Sequence, residues 1–511
     1  MTTANELVVV AVLVSSQRRR DLKIMFLALS GLACMSQNAL AASPNVLFII
    51  ADDASRHFGE ANGCKWARTP AIDRLAKNGL VFDNAYTPTS KCAPSRAAIL
   101  TGRNPWQLED AANHQPAFPA KFKAFSEALA SAGISCGGAG KTWGPGQAQH
   151  PDGSPRDFAL KGRGGKQAKD PGVGFTDFLK TRPQGKPFFY WFGSHFPHRA
   201  YPLDSGLKAG KKVEDIDRVP EYWPDNEEVR RDMLDYALEV EAFDAQVGSL
   251  VATLEASGEA MNTLIVVTSD HGMPFPRVKG HTYEDAHHIP LVATWPDGIV
   301  KQGRRVKEIV SFIDLAPTML ELFGVDGVAH GMSLITGSSF VDLLHDEPKR
   351  EREFVIVGRE RNDVDARPGT PSGLGYPARA IRAGTFFYVH NFEPDRWPCG
   401  NVELGLKDTD ASPTKRLIEQ PGERDSFWQH AFGKRPQEQL FDLGTDPDCV
   451  RNLASEPAQA DRLRTLRETL FAELKRQNDP RVSEDPDVFD RYNSPKDRDV
   501  IPMPRKPKKS T

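Results

Sequence analysis

The stretch Cys92-Ala93-Pro94-Ser95-Arg96 runs on as Ala97-Ala98-Ile99-Leu100-Thr101-Gly102. Pro94 suits the first turn of a helix, where its missing N–H costs nothing, and Gly102 suits the stop, so a short helix with Cys92 at its N-terminal edge is predicted. The sulfur would then lie over free backbone N–H groups at the positive end of a helix dipole, a setting for an anion. Arg96, four residues on, shares that helical face and can bring a guanidinium to whatever forms there. The plainer alternative is a helix start with an ordinary half-buried cysteine. A second set of ionisable residues follows apolar runs directly: Asp52 and Asp53, Lys141, His195 with His198 and Arg199, and Asp270 with His271. Two adjacent carboxylates after a buried strand repel one another unless a cation neutralises them. A hard divalent ion with oxygen ligands explains them economically, and a solvated Asp-Asp turn is the alternative.

These residues need elements to carry them. Asn45 to Ala51 is a continuous apolar run of the kind buried on both faces of a parallel sheet. Pro187 to Gly193 and Thr263 to Thr268 have the same character, and Ile134-Ser135-Cys136 begins a strand that passes through Gly137, Gly138 and Gly140 to Lys141. Ligands of open α/β sheets bind outside the carboxyl ends of the strands, so four such endings predict one polar rim. Between them, Thr69-Pro70 opens a helix closed by Gly79, and Leu80 to Tyr86 is a strand that delivers the chain to Cys92. Phe125 to Ala132 is helical in period, and Asn226 to Glu255 is a long helix with Met233, Tyr236, Val240, Phe243 and Val247 at helical spacing. Ile289 to Trp295 reads as a further strand, Phe312 to Phe323 as a helix interrupted at Pro317, and Gly162 to Gly174 as a mobile surface loop. Strands alternating with helices predict an α/β fold with a large, mostly parallel sheet covered on both sides. After Gly373 the character changes: a hairpin over Tyr376 to Phe392, a strand at Gln439 to Leu443 and an amphipathic helix from Ala458 to Arg476 predict a smaller antiparallel subdomain. The expected divisions are 43–375 and 376–492, followed by a disordered basic tail over 493–511.

The composition is that of a globular protein, with 39% hydrophobic residues, 26% charged residues and a formal net charge of -3 over 511 residues, and nothing in it indicates nucleic-acid binding. At the N-terminus, Arg18-Arg19-Arg20 and Lys23 precede an apolar stretch from Ile24 to Met35, and Ala39-Leu40-Ala41 is a small-x-small cleavage site. A signal peptide over 1–42 and a mature start near Ala42 are expected, hence export to a periplasmic or secreted location. Setting Cys34 aside with the signal and Cys92 for chemistry leaves Cys64, Cys136, Cys399 and Cys449. In an oxidising compartment these can pair, with Cys399–Cys449 the preferred bridge and four free thiols the alternative.

The order Cys-x-Pro-x-Arg then Ala-x-x-Leu-Thr-Gly resembles the signature of the type I sulfatases of the alkaline phosphatase superfamily, in which that cysteine is oxidised to formylglycine. The likeness runs from Asn45 to about Asn452, and Gly272-Met273-Pro274-Phe275-Pro276, His195-x-Pro197-His198-Arg199 and Val389-His390-Asn391 are similar to segments of the N-sulfoglucosamine sulfohydrolases and bacterial polysaccharide sulfatases. The resemblance implies the alkaline-phosphatase-like fold with a small C-terminal domain. It implies Asp52, Asp53, Asp270, His271 and Cys92 around a divalent metal, commonly calcium. Lys141 and Lys279 match sulfate contacts, Arg96 the arginine that holds formylglycine, His195 a histidine near the leaving group, and His198 and Arg199 fall where substrate is met. It further implies a sulfated saccharide as substrate and a formylglycine-generating enzyme as partner, with no nucleic acid and no stable membrane partner. One departure stands out: the family's histidine two residues after the lysine is here Trp143, and His114 or His150 could substitute for it.

Three readings follow. The first is an exported sulfohydrolase of sulfated sugars. The second keeps fold and metal but hydrolyses phosphonate monoesters or phosphodiesters. The third is a non-catalytic sulfoglycan-binding protein whose Cys92 is never oxidised.

Overall fold

The apolar run Asn45–Ala51 (β1) forms the middle of a seven-stranded sheet in the computed structural model, which describes residues 43–495 apart from 57, 161–169, 350–351, 421–424, 484 and 493. Its side chains alternate, Leu47, Ile49 and Ala51 entering one core and Val46, Phe48 and Ile50 the other. With both faces buried there is no room for a polar stripe, which is why the sequence runs apolar without a break. The remaining strands are Leu80–Tyr86 (β2), Ser135–Gly140 (β3), Phe188–Gly193 (β4), Thr263–Ser269 (β5), Leu291–Thr294 (β6) and Arg304–Ser311 (β7), in the spatial order β3-β4-β1-β5-β6-β2-β7. Only β6 runs against its neighbours; the other pairings are parallel.

Helices cover both faces. Pro70–Lys77 (α1), Pro171–Thr181 (α4) and Glu227–Ala256 (α5) supply apolar side chains to one core, and Cys92–Thr101 (α2), Phe125–Ser131 (α3) and Leu315–Leu322 (α6) to the other. Register then fixes the rim: Gly140 pairs with Gly193, Gly193 with Ile50, and Ile50 with Thr268. The residues just beyond that row, from Lys141, Ser194, Asp52 and Asp270 onward, therefore leave the sheet side by side.

A second sheet is antiparallel, with Phe354–Arg359 (β8), Ala378–Ala383 (β9), Phe386–Asn391 (β10) and Glu438–Asp442 (β11) in sequential order. Leu463, Leu466, Leu470 and Leu474 of Ala460–Arg476 (α7) pack on Ile356, Ile381, Tyr388 and Leu440 of that sheet. β8 lies before the boundary expected at 376, yet all six of its residues pair with β9.

Four expectations change. Pro317 does not interrupt a helix: a short 3-10 turn, Phe312–Asp314, runs into α6, and Pro317 sits in the first turn of α6, where no hydrogen bond is lost. The loop expected through Gly174 ends earlier, because Asp170 accepts a hydrogen bond from the Gly172 N–H and caps α4; residues 161–169 lie outside the described residues. Cys399 and Cys449 do not form a bridge. Both are free, as are Cys64, Cys92 and Cys136, and they belong to separate apolar clusters. Of the tail, Ser494 is held by Gln115 and Ser372, while 496–511, like the signal segment 1–42, lie outside the described residues. Among the described residues no helix is long and apolar enough to cross a membrane.

Candidate active site

Every residue of α2 is buried, so this helix is covered on all sides rather than packed by one apolar face. Gly102, with φ 67°, ends it by donating its N–H to the Ala98 carbonyl. Ser95 donates to the Asp270 carbonyl at 2.6 Å, which pins the helix start to the end of β5. Cys92, 1% exposed, thereby faces the rim.

Around its sulfur the structure gathers the residues singled out by the sequence. His271 Nε2 lies 3.2 Å from Cys92 Sγ, and Asp53 Oδ1 lies 3.9 Å from it. Arg96 donates through Nε to Asp270 Oδ2 at 2.8 Å and through Nη1 to the Lys141 carbonyl at 2.6 Å, and its Nη2 reaches Asp52 at 3.5 Å. Lys141 Nζ donates to both oxygens of Asp52 at 2.7 Å. Lys279 Nζ is 2.6 Å from Asp53 and 2.9 Å from Asp410. Burial opposes ionisation of Asp52, but Lys141 and then Arg96 outweigh it and hold the carboxyl well below its usual range; burial likewise opposes ionisation of Asp53, and Lys279, then His198 and His271, lower its pKa. Burial pushes the Cys92 thiol up, so as a thiol it is no ready nucleophile.

Two glycines make the approach of Lys141 possible. A Cβ on Gly193 would stand 1.7 Å from the Lys141 carbonyl oxygen, and one on Gly140, whose φ is +72°, would stand 2.0 Å from that of Gly193. On the other side, Asp53 adopts φ 75°, held there by its N–H to Asp270 Oδ1 at 3.1 Å and by Ala54 N–H to Ser269 Oγ at 2.8 Å. A left-handed aspartate at a strand end is the kind of local strain, about 1–3 kcal/mol, that tends to mark working sites.

Comparison with known proteins agrees with this geometry. Residues 44–325 match the sulfatase family model, more than half of the chain. The chain belongs to the sulfatase family. This sulfatase is 27% identical over 498 residues to human N-sulphoglucosamine sulphohydrolase, covering 88% of this chain and 94% of that protein. It is 26% identical over 471 residues to an ulvan-active sulfatase of Formosa agariphila, covering 84% and 74% respectively. A solved protein in complex with its substrate D-glucosamine-2-N,6-O-disulfate superimposes with a TM-score of 0.61 at 20% identity, over 87% of this chain and 99% of that one. The phosphonate monoester hydrolase of Agrobacterium radiobacter gives 0.58 at 18% identity, over 85% and 96%. The fold is thus the alkaline-phosphatase-like one, with its C-terminal antiparallel sheet, and the sulfatase is a sulfuric ester hydrolase.

The donor set of the sulfatase suits a divalent cation. One ligand atom each from Asp52, Cys92, Asp270 and His271 lie within 4.8 Å of one another, as do atoms from Asp53, Cys92 and His198. Ligands across a calcium ion stand roughly 4.6–5.2 Å apart, twice the usual bond length. Asp53 joins the second grouping rather than the first, yet its Oδ1 is 3.1 Å from His271 Nε2. His271 Nδ1–H donates to the Gly272 carbonyl at 3.0 Å, which leaves Nε2 as a lone pair facing a carboxylate. Two acceptors that close fit a cation between them.

The histidines and the arginine that follow β4 take different surroundings. His198 Nε2 reaches within 3.8 Å of Asp53, whereas His195 is exposed and carries no side-chain hydrogen bond among the described residues. Arg199 is engaged within the protein. Its guanidinium, 7% exposed, pairs with Asp232 at 2.7 Å, donates to the Pro274 carbonyl and lies over the rings of Tyr201 and Phe275. Trp143, in place of the family histidine, donates its indole N–H to the Ala93 carbonyl at 3.0 Å and packs edge-on to Phe118. Of its suggested substitutes, His150 is exposed in the turn near Asp152, and His114 is buried against Asp363 at 3.1 Å.

Sequence reasoning missed a second ring of charge. Lys91, next to Cys92, pairs with Asp363 at 2.8 Å, and Asp363 and Asp410 come from the C-terminal part of the chain. Lys91 could have been noticed from its neighbour. The two aspartates sit in loops with no periodicity to betray them.

Proposed function

We propose that this protein is an exported, formylglycine-dependent sulfatase that hydrolyses sulfate esters or sulfamates of sulfated sugars. The observation that carries the reading is the placement of Cys92 Sγ among buried Asp53, Asp270 and His271, with Lys141 and Lys279 on the adjoining carboxylates. Formylglycine made from Cys92, with calcium beside it, would supply a hydrated aldehyde whose one hydroxyl attacks sulfur and whose other releases sulfate. Asp52, Asp53, Asp270 and His271 would hold the ion. Arg96, fully buried, fixes Asp270 and the Lys141 backbone at once, so neither can drift. Lys141 and Lys279 place ammonium groups where the sulfuryl oxygens must lie, the preorganised charge that usually contributes most. His198, whose side chain is 38% exposed at the mouth, is better placed than His195 to protonate a departing alcohol or amine.

A sugar substrate is supported by the relatives, whose names specify ulvan and N-sulphoglucosamine, and by the neighbour that binds D-glucosamine-2-N,6-O-disulfate. Export through residues 1–42, maturation by a formylglycine-generating enzyme and a catalytic unit ahead of a C-terminal subdomain complete the proposal. Phosphonate monoester hydrolysis is the second reading, favoured by the Asp270-His271 pair and the shared fold.

The test has two parts. The mass of the peptide containing Cys92 should show conversion of the thiol to the aldehyde, and calcium chelation should abolish, and calcium restore, sulfate release from a panel of N- and O-sulfated oligosaccharides. An unmodified Cys92 in enzyme that is fully active would sink the mechanism, and faster turnover of aryl phosphonate than of aryl sulfate would favour the second reading.

A further inference from the structure

Beyond Lys279, the segment His281-Thr282-Tyr283 borders a small cavity that the hydrolytic site does not use. Its volume is about 10 Å³, and Arg359, Tyr376 and Arg435 close it from the C-terminal part of the chain. That is the room one water-sized body needs. Its polar lining is buried to more than nine-tenths: Thr282 is 5% exposed, Arg359 3%, Tyr376 2% and Arg435 8%. Each of these four has one buried polar atom without a hydrogen-bond partner among the described residues: Thr282 Oγ1, Arg359 Nε, Tyr376 Oη and Arg435 Nε. All four can donate, and the two Nε–H groups can do nothing else.

The charge around the cavity is lopsided. Arg359 and Arg367 share one carboxylate, Asp408. Arg435 donates to the backbone carbonyls of Gln429, His430 and Ala431, and Arg277 to those of His430 and Cys449; neither has a carboxylate partner among the described residues. Four guanidiniums thus face a single aspartate. His281, whose Nε2 lies 3.2 Å from Cys399 Sγ, is held neutral by burial and then by Arg359 and Arg435. Unpaired buried charge of this kind is expensive, and each unmade buried hydrogen bond adds to the cost. A water molecule could accept from the two Nε–H groups and donate to the two hydroxyl oxygens, but it would bring no negative charge to offset the guanidiniums.

We propose that this cavity binds a monoatomic halide, chloride in ordinary solution, with Thr282 Oγ1, Tyr376 Oη, Arg359 Nε and Arg435 Nε as its donors. A halide matches the volume, accepts all four hydrogen bonds and offsets the surplus positive charge. It also ties the segment that carries Lys279 to Arg359 at the end of β8 and to Arg435 ahead of β11, so its role is to stabilise that junction rather than to react.

The experiment uses the full-length protein, purified once in chloride and once in bromide. Crystals should show anomalous density in the cavity, for chloride at long wavelength and for bromide at its absorption edge. In solution, the melting temperature should be about 3 °C higher in chloride or bromide than in gluconate at matched ionic strength. Tyr376→Phe and Thr282→Val, mild enough to fold, should each shrink that increment by half or more. A water without anomalous signal in the cavity, or equal melting temperatures in chloride and gluconate, would overturn the assignment.

Discussion

Gly193→Ala offers a sharp test of how the rim is built. Gly193 ends β4, far from Cys92 in sequence, and contributes no side chain to chemistry. The added Cβ would stand 1.7 Å from the Lys141 carbonyl oxygen, whereas real Cβ contacts essentially never fall below 3.0 Å, so that oxygen must retreat by at least the 1.3 Å difference. It has little freedom to do so. Lys141 N–H is bonded to the Gly193 carbonyl at 2.7 Å, and Arg96 Nη1 donates to the same Lys141 oxygen at 2.6 Å. Moving it shifts the lysine whose Nζ rests on Asp52 and releases one of the acceptors that orient Arg96. Misplacement by about 1 Å of groups that position a reaction costs on the order of 10²-fold in rate. Forced overpacking costs about 1–3 kcal/mol of stability. Steady-state hydrolysis of an aryl sulfate and thermal unfolding, measured on the same preparation, should show kcat/KM down at least roughly 100-fold. Wild-type kcat/KM with an unchanged melting temperature would refute the idea that close backbone packing of β3 and β4 sets the position of Lys141.

Other outcomes follow from the same structure. Gly248→Ala, in the long helix α5, would bring its Cβ only to 3.5 Å from that of Ala71, so it should stabilise the protein by about 0.5–1 kcal/mol, read from urea unfolding, without changing activity. Arg199→Leu leaves Asp232 buried without its ion pair and should cost about 3–5 kcal/mol; a rise in KM with unchanged stability would instead return Arg199 to substrate binding. Glu284 is fully buried, which by itself would raise its pKa, but the hydrogen bond and charge of His288, with Arg56 and Tyr86, bring it down to about 2 from its usual 4.5. A depressed carboxyl stabilises the fold above its unfolded pKa, and this contribution, about 3 kcal/mol, is lost as pH falls from 4.5 towards 2. Stability measured at descending pH should therefore drop less steeply in Glu284→Gln than in the wild type.

Much of the site was legible because chemistry and strand endings coincide. Asp52, Asp53, Lys141, His195 and Asp270 each follow an apolar strand directly, and parallel strands with aligned register must present those positions together. Cys92 and Arg96 could be placed on one helical face from spacing alone, with Pro94 and Gly102 marking the ends of the helix. Long-range partners were not legible. β7 was missed because its charged residues, Arg304, Arg305, Lys307 and Glu308, read as surface, which suits an edge strand; β8 was missed because the short apolar run Phe354 to Val357 has no pattern to show which sheet it joins.

The sequence by itself determined which residues could react and in what order the strands and helices would deliver them, since hydrophobic period, caps and breakers act over a few neighbouring residues. Only the tertiary structure decided that His198 rather than Arg199 turns towards Asp53, that Cys399 and Cys449 remain apart, and that Asp363 and Asp410 reach Lys91 and Lys279 from far along the chain. Ion pairs and buried thiols are settled by which surfaces meet once the chain has closed, and no local pattern records that meeting.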